Sequence, residues 1–194
     1  QHAGRTVLAF FWADNSLNSS LRNNIQTMMQ GLQAMKDSAA LLVYWDGEAS
    51  DISWPEPCIV EYVTNGQGGI NSLSKGTIDA MMADKNTSIY DLIGIGNIRK
   101  KYPPQTSTEK TVMQTVIGDM MSAYPSESYG IIFGSHGSGW LPTITGTRSI
   151  GQDGGRYSSD TALIPEWAEV LRTVNPQKCD FVLFDACMMG SAEV

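Results

Sequence analysis

Two uninterrupted apolar runs, with a helical stripe between them, constrain this chain more than any other feature. Arg5–Ala13 (RTVLAFFWA) and Ala39–Trp45 (AALLVYW) are too short for stable isolated helices and show no apolar–polar alternation. Such runs read as strands covered on both faces, which is the situation of a parallel sheet flanked by helices. Between them Leu17, Leu21, Ile25, Met28, Leu32 and Met35 recur at three- and four-residue steps, the apolar face of an amphipathic helix. Asp14-Asn15-Ser16 supplies side chains suited to cap its start. Strand, helix, strand in this order predicts a βαβ unit with a right-handed crossover.

The rest of the chain extends the same architecture. Cys58–Val63 alternates behind Pro55 and Pro57 and predicts an edge strand or hairpin arm, followed by a turn over Asn65–Gly69. Residues 72–101 are the least periodic, with short helices expected at Thr77–Met82 and Ser88–Ile93. Thr106-Ser-Thr-Glu109 fits a capping box ahead of a helix that carries Val112, Met113, Val116, Ile117, Met120, Met121 and Tyr124 and stops at Pro125. Two further apolar runs, Tyr129–Phe133 and Phe181–Phe184, predict buried strands. Thr143–Ser159, rich in Gly, Thr and Ser, is expected to be an exposed loop or small hairpin, and Pro165 opens a helix through Val174.

Chemistry gathers where the last two strands end. Phe133-Gly-Ser-His-Gly-Ser-Gly-Trp140 places His136 just past one, and Phe184-Asp-Ala-Cys-Met-Met-Gly190 places Cys187 just past the other. Open α/β sheets hold their ligands at such carboxyl ends. His136 precedes Cys187 by 51 residues, the order and spacing of caspase-type cysteine proteases. A thiolate nucleophile needs a neighbouring base, a site for the oxyanion and a proton for the leaving amine. The N–H groups of Gly137 and Cys187 are candidates for the oxyanion hole, and a helix starting at Cys187 would favour the thiolate. Asp185 lies on the same side of its strand as Cys187 by alternation. Two readings stand for it, a carboxylate that selects a basic substrate side chain or a strand-end hydrogen bond. Cys58 and Cys179 read as small buried hydrophobes.

Other chemistries lack their signatures. Neither Ser135 nor Ser138 sits in a G-x-S-x-G elbow, and no P-loop, dinucleotide fingerprint, CxxC zinc pair or calcium-loop spacing is present. A net charge of −7 argues against nucleic acid or an anionic membrane as the main partner. No apolar run is long enough to span a bilayer. Three cysteines form no disulfide framework.

Taken together, the first strand running into Ala13-Asp-Asn-Ser-Leu17, the Tyr124-Pro125 helix end, His136-Gly-Ser-Gly-Trp140 and Asp185-Ala-Cys-Met-Met-Gly190 resemble the clostripain family of cysteine peptidases (family C11, clan CD). The resemblance implies a caspase-like α/β three-layer sandwich with a mostly parallel central sheet. It also implies an endopeptidase that cuts protein or peptide substrates after Arg and, to a lesser degree, Lys. His136 and Cys187 would be the catalytic dyad, with Asp185 at the floor of the basic-residue pocket.

Maturation by autocleavage between the two motifs is implied as well. Arg148, followed by small Ser149, is the first candidate and Arg156 the second; Lys178 leads into a core strand and is set aside. No cofactor is required, and calcium is used by some relatives. Residues 1–194 are then expected to form the N-terminal, dyad-bearing part of one peptidase domain, completed by a C-terminal part of the same protein. The start at Gln1 rather than Met fits an exported bacterial protein that is secreted, periplasmic or on the cell surface. Two alternatives are a catalytically silent caspase-like binding or scaffold protein, which the presence of both dyad residues disfavours, and a different thiol enzyme on a similar sheet.

Overall fold

The two apolar runs become neighbouring parallel strands in the computed structural model, which describes residues 4–137, 149–154, 159–173 and 179–186. Strand β1 (Arg5–Trp12) pairs with β2 (Ala39–Asp46) from Arg5↔Ala39 to Trp12↔Asp46, with helix α1 (Asn18–Ala34) as the crossover. The chain continues through β3 (Cys58–Thr64), α2 (Lys75–Ala83), α3 (Ile89–Ile93), β4 (Asn97–Lys101) and α4 (Lys110–Ala123). It then forms β5 (Tyr129–Gly134), a hairpin of β6 (Ser149–Gly154) and β7 (Ser159–Leu163), α5 (Ile164–Thr173) and β8 (Cys179–Asp185). The central sheet runs β4-β3-β2-β1-β5-β8. The pairs β1–β2, β1–β5 and β5–β8 are parallel, while β3 joins β2 and β4 antiparallel.

Alternation along the strands divides the core into two layers. Ala9, Phe11, Leu41, Val43 and Trp45 meet Leu21, Ile25 and Met29 of α1, Ile78 of α2 and Leu92 and Ile93 of α3. Leu8, Phe10, Trp12, Leu42 and Tyr44 meet Met113, Val116, Ile117 and Met120 of α4 and Trp167 and Val170 of α5. The result is a helix–sheet–helix sandwich, in which each fully buried large side chain contributes about 1.5–3 kcal/mol. On the first layer Arg22 of α1 is buried against Asp51, which also accepts from Trp45 Nε1 at 2.9 Å, and its guanidinium lies 4.6 Å from the Tyr90 ring centroid. This pairing gives a buried cation both a counter-charge and a π face.

Four local expectations change. The Phe181–Phe184 run, read as a buried strand, forms the edge strand β8 with Phe181 and Leu183 about half exposed. Strand β3 runs antiparallel to its chain neighbour β2, as the hairpin-arm reading held, but it is interior rather than an edge, because Val60 and Tyr62 fill one core layer while Ile59 fills the other. The Thr106–Glu109 segment forms no capping box. Glu109 itself is the N-cap residue of α4 without a side-chain cap bond, and Ser107 and Thr108 are buried at 0% and 3% exposure. Ser107 is committed to tertiary hydrogen bonds, with Tyr44 Oη at 2.7 Å and with Asp46. A capping box does form at Ser88 and Asp91, opening α3. The Gly/Thr/Ser segment contains a small hairpin, as one of the two readings held, yet it is not simply exposed: Ile150 is fully buried in the α4–α5 layer.

Candidate active site

The order of strands reverses at β1, whose chain neighbour β2 lies on one side and β5 on the other. Helix α1 leaves β1 on one face of the sheet, whereas α4 enters β5 on the opposite face. Open α/β sheets bind their ligands outside the carboxyl ends of the strands at such a reversal point. Ser16 comes from the loop after β1 and His136 from the loop after β5, and Ser16 Oγ lies 3.0 Å from His136 Nε2.

Strand β8 lies against β5 with Gly134 paired to Asp185. Ser135 continues the contact, its N–H donating to Asp185 O at 3.3 Å. The segments leading to His136 and toward Cys187 thus leave the sheet side by side at the same end. Cys187 itself lies outside the described residues, as do Arg148 and Arg156. Asp185 is exposed, and its Oδ2 accepts from Asn24 Nδ2 of α1 at 2.5 Å.

Backbone contacts fix the His136 loop. Gly151 N–H donates to His136 O at 3.0 Å, forming an isolated bridge between Gly137 and Ile150. In that arrangement the Gly137 N–H takes no part in the bond, as suits an oxyanion donor. Gln152 N–H donates to Ser135 Oγ at 2.9 Å, and Gln152 O accepts from Asn15 Nδ2 at 2.9 Å. One residue of β6 therefore ties the His136 loop to the Ser16 loop. Gly151 has φ +93° and lies over the Trp12 ring, a conformation and a clearance that suit glycine.

Aromatic packing supports this corner from below. Phe133 and Trp167 have ring centroids 4.0 Å apart, Trp12 and Trp167 meet edge-on at 5.2 Å, and Phe133 stacks on Phe184 at 5.7 Å. Trp167 Nε1 donates to Ile150 O at 3.3 Å, anchoring β6 to α5. At Gly134 a Cβ would strike the Phe11 ring at 2.6 Å, so the last residue of β5 needs to be small.

The two other cysteines are poor nucleophiles. Burial pushes the Cys58 thiol up to about 12, and burial aided by Asp180 raises Cys179. Cys58 is fully buried as the sequence suggests; Cys179 is half-buried. Among the described residues no three His, Cys, Asp or Glu side chains gather closely enough to hold a metal ion. Nor is any described helix long and apolar enough to cross a membrane.

Of the residues singled out from the sequence, His136, Gly137 and Asp185 lie among the described residues at the carboxyl ends of β5 and β8; Asn15 and Ser16 are expected from the sequence only to cap a helix. Asn15 does serve that purpose, its Oδ1 accepting from Leu17 N–H at 2.9 Å. The contact from Ser16 to a residue 120 positions away leaves no local trace in the sequence.

Comparison with known proteins places these features in context. The sequence profile of the clostripain family (peptidase C11) matches residues 9–194. The chain is similar to a secreted C11 cysteine protease from Bacteroides thetaiotaomicron, solved with an irreversible peptide inhibitor. The identity is 30% and the TM-score 0.68, over 98% of this chain and 44% of that one. An inactive zymogen C11 protease from Parabacteroides distasonis shares the fold at 24% identity and TM-score 0.63, over 96% and 43% of the two chains. A Bacteroides fragilis cysteine protease is 27% identical with TM-score 0.51, covering 75% of this chain and 98% of that one. The present chain spans less than half the length of the first two. No curated protein matches.

Proposed function

The chain belongs to the clostripain family, and on that premise we propose that it forms the dyad-bearing part of a cysteine endopeptidase cleaving after Arg and, less readily, Lys. The observation that carries this reading is the parallel pairing of β5 with β8, Gly134 opposite Asp185. It gives the histidine and cysteine segments a common exit from the sheet.

In the proposed reaction the Cys187 thiolate attacks the substrate carbonyl carbon. The N–H groups of Gly137 and Cys187 hold the oxyanion, and His136 delivers its proton to the departing amine. Water, deprotonated by His136, then hydrolyses the thioester and releases the acid. The raised thiols of Cys58 and Cys179 support Cys187 as the nucleophile by elimination. Asp185 is assigned to the substrate's basic side chain. Its exposed carboxylate at the strand end supports this, and Asn24 would share it.

Maturation is assigned to autocleavage at Arg148 or, second, Arg156. The reaction as drawn uses the chain's own groups, and chelation with EDTA tests whether calcium is needed as well. We also assign the cover of exposed Phe181 and Leu183 on β8 to a C-terminal part of the same protein, and the location to the bacterial cell exterior or envelope.

The deciding experiment uses the full-length protein with chromogenic amides ending in Arg, Lys, Ala or Asp, beside Cys187→Ala. Cleavage confined to Arg and Lys and absent from the variant is expected. A gel of the same samples should show the loop cut only where Cys187 is present. Loss of no activity in Cys187→Ala would end the dyad reading, and turnover of all four amides alike would end the role of Asp185.

A further inference from the structure

We propose that Ser16 is the positioning partner of His136, holding the imidazole by its Nε2 edge so that Nδ1 is the nitrogen left for proton traffic; the inference rests on His136 being the acid/base of the proposed reaction. The contact is 3.0 Å, within ordinary hydrogen-bond range.

Its position is set by structure on both sides. On the Ser16 side Asn15 Nδ2 donates to Trp12 O at 2.8 Å, and Asn15 Oδ1 receives the Leu17 N–H at 2.9 Å. Asn18 Nδ2 donates to Ala13 O at 2.8 Å. These bonds close the turn immediately before and after Ser16. On the other side the His136 carbonyl is held by Gly151 N–H. The Gln152 backbone bonds to both loops at once, its N–H to Ser135 Oγ and its carbonyl to Asn15 Nδ2. Ser16 and His136 are therefore parts of one cross-linked corner, and their approach follows from its geometry.

A hydroxyl suits the task chemically. It carries one donor and two acceptor sites and turns about its Cβ–Oγ bond. When the ring is neutral with a proton on Nε2, Oγ accepts it and Nδ1 presents a lone pair to the thiol proton. When the ring has taken that proton and both nitrogens are N–H, Oγ still accepts from Nε2, and Nδ1–H faces the leaving amine. The same contact serves both states without moving the ring. A carboxylate in its place would instead bind the charged ring more strongly and oppose release of the proton.

The test uses the full-length protein with an Arg amide and compares Ser16→Ala, Ser16→Thr and His136→Ala. Ser16→Ala is expected to lower kcat by about tenfold, the order of one hydrogen bond to a charged ring, with KM and the unfolding midpoint unchanged. Ser16→Thr, which keeps the hydroxyl, is expected to restore most of the loss. Wild-type kcat in Ser16→Ala, a change in KM alone, or failure of Thr to restore activity would each overturn the role of Ser16 while an inactive His136→Ala leaves the dyad standing. Activity retained in His136→Ala would overturn both.

Discussion

The two edges of the sheet are finished in opposite ways. Every residue of β4 is exposed, and its run Arg99-Lys100-Lys101 pairs outward with Glu61, Asp119 and Glu56 at 3.2, 2.6 and 3.0 Å. A short, lysine-bearing edge resists pairing with another strand, because pairing would strip water from its charges. Strand β8 packs Val182 and Phe184 inward but leaves Phe181 and Leu183 at 47% and 51% exposure. The charged edge suits a boundary, and the apolar one suits the attachment proposed above. The candidate active site lies on the apolar side, where β5 pairs with β8.

This contrast can be broken or sharpened by substitution in the full-length protein, read by chemical denaturation. The largest effect is expected at Trp167, which packs on Phe133 and Trp12 and anchors β6. Trp167→Ala should cost about 3–5 kcal/mol and take activity with it. Next, Leu183→Asp on β8 should cost about 2 kcal/mol or more once that surface is covered. Ile98→Asp on β4, at 45% exposure in the native chain, should stay within about 0.5 kcal/mol. Equal costs at the two edges would erase the distinction.

A smaller effect is expected at Glu61, whose carboxyl burial raises above its ordinary value while Arg99 pulls it partly back. A raised folded-state value means stability present at low pH that is lost as pH rises through that value. Glu61→Gln should therefore flatten the change in denaturation midpoint between the ordinary carboxyl range and neutrality; an unchanged slope would refute it. Lys101→Ala should cost about 0–1 kcal/mol, as for an exposed pair.

What could be read from the sequence follows from how local its cause is. Strands β1, β2 and β5 and helices α1 and α4 announce themselves, because burial on both faces or on one stripe writes a period into the residues. The apolar run of β8 marks a strand too, but one that lies at the edge with Phe181 and Leu183 exposed. Strand β4 does not: an exposed edge of Asn, Ile, Arg, Lys and Lys has no apolar pattern to detect. The Thr106–Glu109 box fails for a related reason, since Ser107 is drawn into the core by Tyr44 and Asp46 from another strand. At the site, His136, Gly137 and Asp185 stand out beside glycines and strand ends, whereas Ser16 is found only when folding brings β1 and β5 together.

The hydrogen-bonded ladder between β5 and β8, from Gly130↔Phe181 to Gly134↔Asp185, bridges two stretches of chain that flank the connecting segment. The hairpin adds bonds from Gly151 and Gln152 back to His136 and Ser135. If the chain is cut after Arg148, the two pieces are held together by these contacts, by pairs such as Lys110–Glu169 and Ser128–Asp180, and by the shared core. Unfolding then becomes dissociation, with a change in molecularity. The midpoint of the cut form should rise with protein concentration, whereas that of the uncut form should not. A severed enzyme diluted and denatured would have to find its other half again before it could work.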